Sequence, residues 1–598
     1  MATEIRTRDQ IDPKYQWNLT HIYPSDSAWE TALNELAEAV RRCARWNGKV
    51  AEDPRQAIRD VYALYEALDP VNCYAFLRKE TDNADETAQA LVARESALRV
   101  ELSTVSSFLE PELNELPEET LKALMNDPEM ADYSEYLRGL LRMKAHTLPK
   151  EQERLMAMMG EVTRISNDVF SMLSDVDMKF PDVTMPDGST RPLTEGTYSA
   201  FIRHQDRNVR KQAFEGIMGA YDKMGSTIAA TYGGRVKTDV FQARARNYSS
   251  ARAAKMEPLE IPEAVYDNLI EVVHENLPTL NEYLQLRKEK MGLQELHMYD
   301  LYTPLVTGFD MTLPFDKAYD LVLEGLQPMG EDYIAKLREA RDGGWIDVYP
   351  SKNKSSGAFS LGTLDKVHPY VLLNHNSNLP DTFTIAHELG HAMHSFYSNQ
   401  AQPRPKADYS LFVAEVASTC NEAVMMRHLL NTLPDRQAQA YLLNHRLEQF
   451  RTTCFRQTMF AEFERTSHEM AEQGQPLTRT ALTDAYYQLN QRYYGSACEV
   501  DKLIGAEWMR IPHFYRSFYV YVYATGLCAA TTLSAKILEE GESAVRNYRQ
   551  FLSAGCSVPP IEALKLAGID MSSPEPIRRA MAVFKETLEA FKAVLSEL

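Results

Sequence analysis

No stretch of the chain combines the length and the leucine and isoleucine density of a bilayer-spanning helix. The nearest candidate, Ser517 to Ala535, carries no charge but is built from tyrosine, threonine, serine, alanine and glycine, which suits a buried helix rather than a lipid-facing one. The opening MATEIRTRDQIDPKYQW is polar and lacks the apolar core of a secretory signal. Cysteine is sparse and scattered: seven residues, at 43, 73, 420, 454, 498, 528 and 556, with no CxxC pair. An odd, dispersed set excludes a disulfide framework and points to a reducing compartment. Positive charge is in deficit, with a net charge of −20 over 598 residues, which argues against a nucleic-acid surface. Internal repeats, heptad arrays and low-complexity tracts are missing too. These absences predict a cytoplasmic protein with no nucleic-acid partner and no membrane partner; oligomeric state is left open.

What remains is dominated by helical periodicity. Residues 1–115 read as a helical lobe, with apolar residues at three-to-four spacing over Ala28–Trp46 and Pro54–Leu68 and again near Thr87–Phe108. Breaks are expected at Asp69-Pro70 and over Leu109–Pro117. Residues 116–195 continue as helix, including EQERLMAMMGEVTRISNDVFSML, whose methionine-rich stripe is expected in the core. A small hairpin then follows around the Pro-Asp-Gly turn of Asp177–Leu193. Residues 196–598 form the third region, helical except for Gly343–Leu373, which is rich in glycine, serine and β-formers and predicts two or three short strands. An edge strand there can pair with an extended peptide, and Gly357 and Ala358, leading into Phe359, are the candidate contact.

The centre of the chain is DTFTIAHELGHAMHSFYSN, Asp381 to Asn399. His387 and His391 are four apart, so a helix sets both imidazoles on one face within reach of one ion. Zinc takes neutral imidazole nitrogen, and a catalytic zinc keeps three protein ligands and one open position. Glu388, beside the first histidine, is the candidate general base. Asp381 is the expected N-cap. Gly390 inside the helix costs about 1 kcal/mol relative to alanine, which implies a close packing partner.

The third ligand is expected downstream, in FVAEVASTCNEAVMMRHL. Glu415 and Glu422 lie there, seven apart and on one helical face, and spacing alone does not choose between them. Either gives two histidines and one carboxylate, suited to activating water. His394 competes, but a third ligand from the same helix would crowd one side of a tetrahedron; a packing role fits it better.

These segments carry a resemblance. WNLTHIYPSDSAW, LHMYDLYTPL, FTIAHELGHAMHS, FVAEVASTCNEA, GAEWMRIPHFYRSFYVYVYATG and GIDMSSPEPI occur in the order found in oligoendopeptidase F, of the thimet-oligopeptidase-like zinc metallopeptidases. The resemblance implies a mainly α, multi-helix zincin-type fold enclosing a deep channel, with a small β-sheet beside the HExxH helix. It makes residues 116–195 an oligopeptidase F-type segment and residues 196–598 the catalytic region. It implies one Zn2+ per chain and internal cleavage of short peptide substrates. Carried over by position, His387, His391 and Glu415 become the metal ligands, Glu388 the base, and Glu422 a neighbour that orients a histidine. IPHFYRSFYVYVY resembles the segment facing the metal: His513 and Tyr521 are the expected oxyanion donors, with Tyr515 and Tyr519 as substrate contacts. Its spacing is shorter than in the thimet relatives. Two other readings remain: a non-catalytic peptide-binding protein that retains the fold, and an aminopeptidase.

Overall fold

The computed structural model describes residues 6–306, 311–362 and 367–598. The chain divides into two compact units that interleave along the sequence. One comprises Met1–Lys144, Asp310–Thr432 and Ala530–Asp570; the other comprises Ala145–Phe309, Leu433–Ala529 and Met571–Leu598. Neither unit coincides with a continuous segment such as 1–115, 116–195 or 196–598. Helices make up most of both units, and among the described residues none is long and apolar enough to cross a membrane.

The first unit opens with three helices, Asp26–Cys43, Pro54–Glu80 and Glu86–Ser106, around a core that includes Trp29, Leu33, Val61, Leu68, Leu98 and Leu102. The Trp29 indole donates to the Val71 carbonyl (2.8 Å), so its one polar atom is satisfied in the interior. The break expected at Asp69-Pro70 does not occur, since Pro70 sits inside the helix Pro54–Glu80. An internal proline costs about 3 kcal/mol; here Ile58, Val61 and Leu64 on one side and Val71, Tyr74 and Leu77 on the other are all buried and hold the helix straight through. Over Leu109–Pro117 the expected break shrinks to Leu116 and Pro117, because Leu109–Glu115 forms a short helix anchored by buried Leu109 and Leu113.

A three-stranded sheet lies beside the motif helix. Tyr370–Leu372 is central; Ile346–Asp347 pairs with it in parallel and Phe359–Leu361 antiparallel. Trp17, Cys73, Leu77, Tyr370 and Leu372 form the apolar layer beneath it, with Trp17 edge-on to Tyr370 at 6.0 Å.

The motif helix runs from Leu379 to Ala401. It begins earlier than Asp381: Asn378 is the cap, its side-chain oxygen accepting the Asp381 N–H (2.8 Å), and Pro380 fits the first turn, where no N–H is needed. Asp381 instead accepts the Asn376 N–H at 2.5 Å. The helix Leu411–Thr432 crosses it at Gly390. A β-carbon at 390 would stand 2.5 Å from Ser418 Cα and 2.7 Å from the Ala417 carbonyl oxygen, so only glycine admits this crossing. Asn421 closes the contact by donating to the Ala386 carbonyl (3.0 Å) while accepting from the Tyr333 hydroxyl (3.0 Å).

The second unit contains the hairpin, reduced to Val183–Thr184 paired with Thr190–Arg191. Its helix Lys150–Met172 departs from expectation, because Met158 and Met172 are exposed, with Leu155, Val162, Ile165 and Val169 beside them. Against the helix Gly225–Ala245 it presents a small residue instead: Ser166 lies so near Gly234 that a β-carbon there would be 2.5 Å from its hydroxyl. Close approach through small residues leaves the longer side chains on the outer face.

Gly390→Ala is expected to lower stability by roughly 1–3 kcal/mol, because two backbones must separate. Gly139→Ala, in a helix and with nothing within 4 Å of the added carbon, is expected to raise it by roughly 0.5–1 kcal/mol. Thermal melts of the two variants against the parent protein should move in opposite directions.

Candidate metal centre and active site

The crossing at Gly390 decides which side chains meet. It sets the face of the motif helix bearing His387 and His391 against the face of Leu411–Thr432 bearing Glu415 and Glu422. Three ligand atoms converge: His387 Nε2 and His391 Nε2 are 3.2 Å apart, and each lies 3.3 Å from Glu415 Oε2. Bonds of about 2.0–2.1 Å to a tetrahedral ion place neighbouring ligand atoms about 3.3–3.5 Å apart, so the three fit one zinc ion with little adjustment. Among the described residues this is the one such group of histidine, cysteine and carboxylate side chains.

Electrostatics favour a cation there. Burial opposes a proton on His387, yet the Glu415 and Glu422 carboxylates raise that imidazole to about 10. Conversely, and against its own burial, the two histidines hold Glu415 well below the usual carboxylate range. A dication satisfies the same carboxylates while leaving both imidazoles neutral.

The surrounding contacts fix the ligands in place. His387 Nδ1 donates to Glu422 Oε1 (2.5 Å), which points its Nε2 into the cluster. Glu422 thus lies behind His387, on the side away from the three converging atoms. The Ser418 hydroxyl, one turn past Glu415, donates to Glu415 Oε2 (2.9 Å). Sequence reasoning missed Ser418; its place three residues after a candidate ligand carboxylate was the available signal.

Glu388 is 6% exposed. Burial raises its carboxyl above the usual range; Glu415 and Glu422 reinforce this, and His387 and His391 oppose it. His394 stands apart from the cluster. It is buried, stacked on Tyr409 (3.7 Å) and near Phe551 (5.0 Å), and its Nδ1 finds no partner, so burial and nearby His391 press its pKa down to about 3.

Gly357 and Ala358 precede the strand Phe359–Leu361, which occupies one edge of the sheet. Gly357 adopts φ +86°, and its carbonyl accepts from Asn374 Nδ2 (2.8 Å).

The remaining predicted residues lie in the second unit. Tyr515 is interior, its hydroxyl bonded to Thr231 Oγ1 (2.7 Å) and its ring stacked on Phe170 (4.4 Å). Tyr521 is 1% exposed, with its ring 5.0 Å from Tyr266. His513 is exposed and groups with Tyr523 (6.0 Å between rings), which in turn lies 5.3 Å from Tyr519. Desolvation, with Arg456 and Arg516 nearby, keeps His513 below its ordinary value and hence neutral at neutral pH. Tyr523 was not among the expected residues. Tyr519 precedes the helix that begins at Tyr521, so the grouping arises across the bend at Phe518 and no helical spacing in the sequence marks it.

Comparison with known proteins agrees along the whole chain. A family model described as "Peptidase family M3" matches residues 200–583, and one described as "Oligopeptidase F" matches residues 112–180. Oligopeptidase PepF of Bacillus subtilis is 40% identical over 601 residues, covering 100% of this chain and 90% of its own. Group B oligopeptidase PepB of Streptococcus agalactiae is 36% identical, covering 97% of each. The crystal structure of oligoendopeptidase-F from Enterococcus faecium superposes with a TM-score of 0.74 at 35% identity, over 96% of this chain and 100% of that one.

Glu422→Gln should weaken zinc binding about 10–100-fold, measured by competition with a chromophoric chelator. His394 supplies a pH signature. Folded, it stays neutral down to about 3; unfolded, it protonates near the ordinary imidazole value of 6.5. The unfolded chain therefore binds more protons in that window, and stability falls as pH drops below about 6.5, by up to about 1.4 kcal/mol per unit for this group. The melting temperature of His394→Phe should fall less steeply between neutral pH and pH 5 than that of the parent.

Proposed function

The chain belongs to peptidase family M3, and on that premise we propose that it is a zinc-dependent endopeptidase that cleaves internal bonds of short, unstructured peptides. The convergence of His387, His391 and Glu415 to within 3.2–3.3 Å, with the Glu388 carboxyl buried beside them, carries this reading. These three side chains would hold the ion, which when bound would supply Lewis-acid chemistry, lowering the pKa of water at the site and polarising a carbonyl.

The rest is the work of the chain itself. Glu388 takes a proton from the attacking water and returns it to the leaving amine. Negative charge then grows on the carbonyl oxygen, and hydrogen-bond donors preorganised for it lower the barrier. We assign that donation to His513 with Tyr519 or Tyr523. The exposure of this cluster favours it over Tyr521, whose ring is interior. The edge strand Phe359–Leu361, entered through Gly357 and Ala358, offers backbone groups to an extended peptide, which selects unfolded substrate without reading side chains. A reducing, cytoplasmic setting fits an odd number of scattered cysteines with no CxxC pair.

A peptide blocked at both ends tests the reading. Cleavage at an internal bond, lost on chelation and restored by zinc, is expected; no cleavage by zinc-loaded protein across a varied peptide set would instead make the chain a peptide-binding protein. Glu388→Gln should keep the metal while kcat falls about 10²–10⁴-fold.

A further inference from the structure

Phe518 occupies an unusual conformation. Its φ of +57° lies in the left-handed region, where a β-carbon crowds the backbone. Among the described non-glycine residues it shares that region with Asn247, Glu260, Asn353 and Ser377, and it is the only aromatic one. Nothing local to a phenylalanine side chain stabilises such a backbone, so the support must come from elsewhere.

It comes from two helices of the same unit. The Phe518 N–H donates to Glu464 Oε1 (2.9 Å), from the helix Arg456–Glu472, and the Phe518 ring packs 4.5 Å from His468 one turn further along. The preceding hydroxyl, Ser517 Oγ, donates to Asp239 Oδ2 (2.6 Å), and Asp239 is gripped through both oxygens by Arg235 (2.6 and 3.1 Å). Glu464 is 0% exposed. A buried carboxyl is an expensive way to fill space when leucine would pack there without desolvation cost. What the carboxyl adds is an acceptor for an N–H that the left-handed turn directs away from any helical partner. Burial and the neighbouring Asp239 carboxylate push its pKa well up, and glutamine offers an acceptor of the same length and shape.

The placement matters because of what flanks the turn. Tyr519 follows immediately, and the helix carrying Tyr523 begins at Tyr521. We propose that Glu464 is a positioning residue: by accepting the Phe518 N–H it holds the left-handed turn that brings His513, Tyr519 and Tyr523 together on the outside and sends Tyr515 and Tyr521 inward. This inference rests on the reading of that cluster as donors to the substrate carbonyl oxygen.

Four proteins test it: wild type, Glu464→Gln, Glu464→Leu, and Glu464→Leu combined with Phe518→Gly. Each is measured for kcat and KM on a doubly blocked peptide and for amide exchange over residues 511–523. Losing a buried acceptor should lower kcat of Glu464→Leu by about ten-fold or more, with KM changed by less than about three-fold and faster exchange over that segment. Glutamine should restore kcat to within about three-fold of wild type. Glycine adopts the left-handed turn without strain, so the double variant should recover much of the loss and remains folded enough to measure if Glu464→Leu is not. Normal kcat in Glu464→Leu, or equal damage from glutamine and leucine, would overturn the proposal. If wild type itself fails to cleave, the donor reading falls instead, and the exchange data alone decide whether Glu464 holds the turn.

Discussion

The convergence of His387, His391 and Glu415 depends on a contact in which none of the three takes part. Two helices can bring two imidazoles and a carboxylate within 3.3 Å of one another only if their backbones nearly touch. Gly390 against Ser418 and Ala417 provides that approach, and Asn421 locks it by bonding to the Ala386 carbonyl one residue before the first histidine. A methyl group at 390 would force the helices apart, and displacements of that size exceed the tolerance of metal–ligand bonds, about 0.2 Å. Packing geometry, rather than ligand identity alone, makes the site.

The approach concentrates charge. Glu388, Glu415 and Glu422 share a small volume with His387 and His391, and the groups shift one another strongly. Like charges so close are unfavourable without a counter-charge, so stability and cation binding are linked: whatever occupies the cluster also stabilises the helix pair. Each carboxylate still has its own task. Ser418 fixes the orientation of Glu415, and Glu422 is committed to the back of His387, which leaves Glu388 as the carboxyl without an assigned partner in holding the ligands.

Much of this was legible in the sequence, and for a physical reason. The i, i+4 spacing of His387 and His391 is a helical constraint that needs no tertiary information, and Gly390 announced a close neighbour because glycine in a helix is otherwise unfavourable. The choice of Glu415 over Glu422 was not legible from spacing, since both share a face; it depends on which one the crossing places opposite the imidazoles. Local rules also failed where tertiary packing outweighed them. Pro70 was expected to end a helix that buried side chains on both flanks carry through, and the methionine stripe of Lys150–Met172 was expected inside although that helix packs through smaller residues. The grouping of Tyr523 with His513 and Tyr519 was not legible, because it forms across the bend at Phe518 rather than along one helix.

The interleaving of the two units bears on how the chain is made. The unit holding the metal cluster needs Ala530–Asp570, yet its two ligand-bearing helices end at Thr432. At ordinary rates of synthesis the intervening stretch of about 140 residues takes roughly 7–30 s to emerge, and Phe551, which covers His394, comes near its end. During that interval the nascent helices carry apolar faces with no final partner, and much of the second unit is translated before the first is complete. Such a chain gains little from folding domain by domain. It favours late, cooperative completion, and a chain truncated before residue 570 carries His387, His391 and Glu415 in a unit that is unfinished.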